Sequence, residues 1–144
     1  MSRNSLSAAP LFLEQVFSVG PGKVFDAWIN PDLISRWLFK SDDNLILQVD
    51  IDLRPGGAFS ILEKTAAGEM IDHFGRYLLI DPPHELQFTL EVPMHFSGVT
   101  TVQILINSIP GGTNLQFRQR GVDPAVVEDA WKKMFRRLSK IMGA

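Results

Sequence analysis

The stretch Asp52-Leu53-Arg54-Pro55-Gly56-Gly57-Ala58-Phe59-Ser60-Ile61 (DLRPGGAFSI) sets a proline and two glycines between two apolar segments. A glycine-rich loop cradles phosphate when it joins a strand to a helix whose first N–H groups face the anion. Here the residues after Gly57 alternate as another strand, so a nucleotide loop is excluded. Pro55 stops the ladder of the preceding strand, Gly56 and Gly57 allow a tight reversal, and Phe59 and Ile61 re-enter the core. The stretch predicts a hairpin corner.

Strands extend outward from that corner on both sides. In NLILQVDID (44–52) the period of two sends Leu45, Leu47, Val49 and Ile51 inward and Ile46, Gln48, Asp50 and Asp52 to solvent. In GEMIDHFGRYLLID (68–81), His73, Gly75, Tyr77 and Leu79 share the inward face, because the opposite face carries Asp72 and Arg76. Asp81-Pro82-Pro83-His84 turns the chain into a strand with Leu86, Phe88 and Leu90 inward. Val102, Ile104 and Ile106 mark the next strand; Pro110-Gly111-Gly112 turns it into the last, with Leu115 and Phe117 inward. Such short turns imply consecutive antiparallel pairing.

Helical periods lie at the two ends. Residues 1–10 are polar and small and are expected to fray. A first strand runs from Leu11 toward Val19, and Gly20-Pro21-Gly22 ends it. Val24, Phe25, Trp28 and Ile29, then Leu33, Ile34, Trp37 and Leu38, recur at three- and four-residue spacings around Asn30-Pro31, which predicts two short helices. Asp123-Pro124 opens a helix of roughly 18 residues, with Val127, Trp131, Met134, Phe135, Leu138, Ile141 and Met142 on one stripe. Its basic residues Lys132, Lys133, Arg136 and Arg137 are expected on a solvated face. One long helix and one large antiparallel sheet make an α+β fold in which the helix covers one sheet face, and a cavity can remain if the sheet curls.

Composition narrows the classes of function. A chain of 144 residues with 45% hydrophobic and 21% charged residues can build one real core, expected as a single domain over 11–144. Fourteen Lys and Arg against sixteen Asp and Glu leave no bulk positive field for nucleic acid or an anionic membrane. The absence of cysteine excludes disulfides, thiolate catalysis and cysteine-ligated metals. No apolar run reaches the ~20 residues of a membrane span, so no membrane insertion is expected, and the simplest location is cytoplasmic. No P-loop, G-x-G-x-x-G or G-x-S-x-G elbow is present, and His73, His84 and His95 lack the spacing of a zinc pair. Neither a cofactor nor a metal is called for.

Four segments together, VFDAWINPDLISRWL, DLRPGGAFSI, GRYLLIDPPHELQFTL and AWKKMFRRLSKIM, resemble the SRPBCC or START-like superfamily, in its branch related to the activator of the Hsp90 ATPase. The resemblance covers about residues 13 to 142. It implies a helix-grip fold: a curved antiparallel sheet of six to seven strands gripping a long C-terminal helix, two small helices after the first strand, and a largely apolar cavity between sheet and helix. Members of the superfamily include lipid, sterol and polyketide binders, cyclases, ligand receptors and a co-chaperone, so the fold does not select among them.

Within such a cavity, His73 and Tyr77 share an inward face and offer polar contacts or proton transfer to a ligand. Glu63 falls in phase with Phe59 and Ile61, so it points inward near a rim unless the strand end frays and turns it to solvent. Trp37, Phe59, Phe88, Phe117, Trp131, Met134, Phe135 and Leu138 are the apolar candidates, each serving as core or as pocket wall. The leading expectation is binding of a hydrophobic or amphipathic small molecule. An Hsp90-type chaperone-associated interaction protein and a cofactor-independent cavity enzyme are the alternatives, and an exposed edge strand admits a homodimer as well as a monomer.

Overall fold

The hairpin corner forms as the glycines dictate. Asp52 N–H donates to Ala58 C=O at 3.0 Å and Gly57 N–H to Arg54 C=O at 2.8 Å, while Gly56 takes a φ of +82° that only glycine adopts without strain. A Cβ on Gly57 would lie 2.0 Å from the Asp52 carbonyl oxygen. Two further backbone bonds, Gly56 N–H to Tyr77 C=O at 2.7 Å and Tyr77 N–H to Gly57 C=O at 2.9 Å, tie the corner to the strand of residues 70–81. The structure, a computed structural model, describes residues 9–143. Most of the segment expected to fray lies outside the described residues.

From this corner the order of elements is β1 (Leu11–Phe17), α1 (Pro21–Ile29), α2 (Pro31–Trp37), β2 (Leu45–Ile51), β3 (Ala58–Lys64), β4 (Met70–Asp81), β5 (Glu85–Leu90), β6 (Thr100–Ile109), β7 (Gly112–Arg120) and α3 (Pro124–Ile141). All seven strands form one curved antiparallel sheet in the order β1-β7-β6-β5-β4-β3-β2. The middle is a meander, and β1 closes onto β7 with Leu11 opposite Gln119 and Phe17 opposite Thr113. β1 stops at Phe17 instead of reaching Val19 because its partner begins only at Gly112; Thr113 Oγ1–H donates to Val19 C=O at 2.6 Å just beyond the ladder.

Two bulges correct the expected strand faces. Between Ile46 and Gln48 the register of β2 slips by one residue, so Leu45 and Leu47 face solvent, at 61% and 49% exposure, while Ile46, Val49 and Ile51 pack on the core. Between Tyr77 and Leu79 the same device turns Leu79 outward and Ile80 toward the core. An extra residue in one strand exchanges its two faces, and strict alternation cannot foresee it.

α2 and α3 start where a side chain satisfies a free N–H group, whereas α1 starts at Gly20 without a side-chain cap. Asn30 Oδ1 accepts from Asp32 N–H and Asp123 Oδ1 from Ala125 N–H, both at 3.0 Å, with Pro31 and Pro124 early in the first turns. On α3, Val127, Trp131, Met134, Phe135 and Leu138 are buried. They meet α1 and α2 in an aromatic cluster in which Trp28 lies 4.7 Å from Trp37 and 6.2 Å from Trp131, and Phe117 lies 4.4 Å from Trp131, ring centre to ring centre. Such pairs add about 0.5–1.5 kcal/mol each beyond burial. Lys132 and Lys133 lie in solvent beside Glu128 and Asp129 as expected, but Arg137 does not: its side chain is 20% exposed and turns toward the loop after α2. No helix among the described residues is long and apolar enough to cross a membrane.

Candidate functional site

The aromatic cluster fills the space between α3 and the centre of the sheet, so the remaining space lies toward one end. There a cavity of about 500 Å³ opens between residues 126–137 of α3, the loop of residues 38–44, Glu63 of β3, His73 of β4, and residues 90–96. Trp131, Val127, Met134, Leu90, Val92 and Phe96 supply apolar wall. Glu63, His73 and Gln119 supply the buried polar groups inside, and His95, Asp42, Asp129, Lys133 and Arg137 stand around the opening.

The loop of residues 38–44 is held from both sides. Phe39 takes a φ of +60°, uncommon for a residue with a side chain. Its N–H meets Met134 Sδ at 3.0 Å, and Arg137 donates to Lys40 C=O at 2.6 Å and to the Asp42 carboxylate. From the sheet side, Glu63 Oε2 accepts from Ser41 N–H at 3.2 Å and from Asn44 Nδ2 at 2.7 Å. The Phe39 ring thereby lies flat on the His73 imidazole, 4.5 Å between centres and 9° between planes.

Glu63 and His73 are both almost wholly buried, 2% and 4% exposed. Glu63 Oε1 stands 3.6 Å from His73 Nε2. On the other side of the ring, His73 Nδ1 lies 3.3 Å from the Ile61 carbonyl oxygen, which can only accept, so Nδ1 carries the proton. Burial lowers the His73 pKa below its ordinary 6.5; the Glu63 charge and the Ile61 carbonyl oppose this without overcoming it, and His95, 6.3 Å away, adds to it. The unfolded chain therefore takes up the proton as pH falls below 6.5, before the folded chain does. The stability present above 6.5 is lost as pH falls through the lower, folded value. Denaturant titrations at pH 7.5 and 5.5 should show wild type weakening at 5.5, and His73→Gln should lose most of that difference; equal pH dependence in both would overturn this account.

A second polar chain forms the cavity floor. Trp131 Nε1–H donates to Gln119 Oε1 at 2.9 Å, Gln119 Nε2 donates to Thr100 Oγ1 at 3.1 Å, and the Thr100 hydroxyl donates to Leu90 C=O at 2.7 Å. Each member is buried and partnered, which locks the Trp131 ring in place. Among the described residues no three His, Asp or Glu side chains converge as a metal site.

Of the eleven side chains expected at a binding site, the fold brings Glu63, His73, Trp131 and Met134 together on the cavity wall. Tyr77, Phe59 and Phe88 instead surround a separate void of about 10 Å³, and burial there pushes the Tyr77 hydroxyl pKa up to about 12. Trp37, Phe117, Phe135 and Leu138 belong to the packed core. Sharing a strand face does not put His73 and Tyr77 in one pocket, because Phe39 and the ring of Phe59 occupy the space beside β4 between them. Sequence reasoning passed over Phe39, Gln119 and Arg137. Gln119 carried a signal, since it continues the inward phase of Leu115 and Phe117; Phe39, in a loop of irregular backbone, carried none.

The family model described as Activator of Hsp90 ATPase homolog 1-like protein matches residues 18–143. No curated protein matches the sequence. Among solved structures, the chain is similar to protein CV1439 from Chromobacterium violaceum, with a TM-score of 0.86 at 22% identity over 94% of this chain and 98% of that one. It is similar to protein NE0264 from Nitrosomonas europaea, with a TM-score of 0.80 at 20% identity over 99% and 98%. The AHSA1-like protein from Aeromonas hydrophila gives a TM-score of 0.79 at 24% identity over 92% and 93%. At these identities the likeness establishes the helix-grip fold.

Proposed function

The chain belongs to the activator of Hsp90 ATPase homolog 1-like family, and from that premise we propose that it is a single cytoplasmic domain that binds a hydrophobic or amphipathic small molecule between α3 and the sheet. One observation carries this reading: a cavity of about 500 Å³ whose mostly apolar wall includes a buried carboxylate and a buried imidazole. The size falls within the range of small-molecule sites, which combine apolar walls with a few placed polar groups. Burying a carboxylate and an imidazole beside apolar wall costs stability; Ser41 and Asn44 engage only one Glu63 oxygen, which leaves Oε1 and the His73 ring for a ligand.

Ala130 provides the test, because it lines the cavity yet is exposed on α3. Ala130→Trp should leave the melting temperature within a few degrees of wild type and fill the opening, so that ligand copurifying with the wild-type chain, seen by native mass spectrometry, falls at least tenfold. Undiminished ligand in this variant would count against the cavity. A second reading, association with an Hsp90-type chaperone, is favoured by the description of the family model. It predicts faster ATP turnover by a cognate Hsp90 on adding this protein, with Ala130→Trp as effective as wild type.

A further inference from the structure

Among the described residues Glu63 is the one carboxylate buried inside the cavity wall, and its two oxygens are unequally used. Oε2 accepts from both Ser41 and Asn44, whereas Oε1 has no hydrogen bond among the described residues and faces His73 Nε2 at 3.6 Å. Because Nδ1 carries the His73 proton, the neutral ring presents Nε2 as a bare lone pair. Two acceptors thus converge on one point of the cavity, and no donor among the described residues lies between them.

The cations at the opening do not supply that donor. Lys133 pairs with Asp129 at 3.1 Å, Arg137 is spent on Lys40 C=O and Asp42, and Lys40 Nζ donates to Ser41 C=O at 3.3 Å. His95 lies 6.3 Å from His73, ring to ring, and Asp72 is turned outward to Ser60. Resting on the reading of the cavity as a small-molecule site, we propose that its ligand is an amphipathic primary amine, whose ammonium head donates to both Glu63 Oε1 and His73 Nε2 while its apolar body lies along α3. A hydroxyl has one hydrogen and satisfies one acceptor at a time; a carboxylate brings a second negative charge against Glu63. An ammonium has three hydrogens, neutralises Glu63, and meets the aromatic side chains of Phe39, Phe96 and Trp131 on the same wall. Burial holds His73 in its neutral form at pH 7.5, which keeps Nε2 available.

Octylamine, octanol and octanoate share one apolar body and differ in the head, so calorimetric titration of the full chain with each at pH 7.5 tests the proposal. Octylamine should bind at least tenfold more tightly than octanol, with octanoate weakest. Glu63→Gln, which keeps an acceptor for Ser41 and Asn44, should bring octylamine to the level of octanol; should that variant not fold, the wild-type ranking decides alone. Octanol or octanoate binding as tightly as octylamine, or a preference that survives in folded Glu63→Gln, overturns the ammonium assignment. If the three bind alike and Ala130→Trp weakens all of them, cavity binding stands without it. If none binds, or Ala130→Trp changes nothing, both fall together.

Discussion

Trp131→Ala should destabilise the protein by about 3–5 kcal/mol, the range for deleting a large buried aromatic side chain. Trp131 is 2% exposed and its ring meets those of Phe117, Trp28, Phe39 and Phe135 at centre distances of 4.4, 6.2, 5.7 and 5.8 Å. Removing it merges the aromatic cluster with the neighbouring cavity, so the site has no means of collapsing onto the gap. Trp131→Phe separates two contributions: it keeps most of the packing and leaves Gln119 Oε1 without its donor, at a cost of about 1–3 kcal/mol. Urea unfolding of both variants measures the pair. A loss under about 1 kcal/mol for Trp131→Ala would mean that α3 is not anchored through this residue.

Gly75→Ala should cost about 3 kcal/mol or more, for a reason unrelated to backbone angles. Gly75 lies in extended β4, and an added Cβ would stand 1.9 Å from the Thr89 carbonyl oxygen of β5 and 2.9 Å from Thr89 Oγ1. The obstacle is backbone, so the two strands must separate, at the expense of the Phe74–Glu91 bridge and the bond from Arg76 N–H to Thr89 Oγ1. Gly22→Ala is the control. It lies in α1 with open space around its Cβ, and alanine there should be neutral or stabilising by up to about 1 kcal/mol. Similar melting temperatures for the two variants would show that β4 and β5 do not approach this closely at Gly75.

Gly75 illustrates where sequence reading stops. Its place on the inward face of β4 follows from alternation with His73 and Tyr77, but the closeness of Thr89 depends on how β5 crosses it. Leu45, Leu47 and Leu79 show the same limit, since the period of two assigns them inward and the bulges of β2 and β4 turn them out. Glu63 is the reverse case. Alternation puts it inward with Phe59 and Ile61 and leaves fraying open; Ser41 and Asn44, about twenty residues away in sequence, remove that freedom.

What the sequence by itself determined is the set of elements, their order and the family. Period, proline and glycine placement and capping act between residues a few positions apart, and the corner at DLRPGGAFSI is a full instance. Only the tertiary structure decided which inward side chains meet in one cavity. Phe39, stacked on His73 from a loop with no periodic signal, and Arg137, drawn from a solvated helix face to Lys40 and Asp42, reach their places through long-range contacts. A cavity is space that packing leaves unfilled, and it is set by the sum of side-chain volumes across seven strands and three helices, a quantity that no local pattern contains.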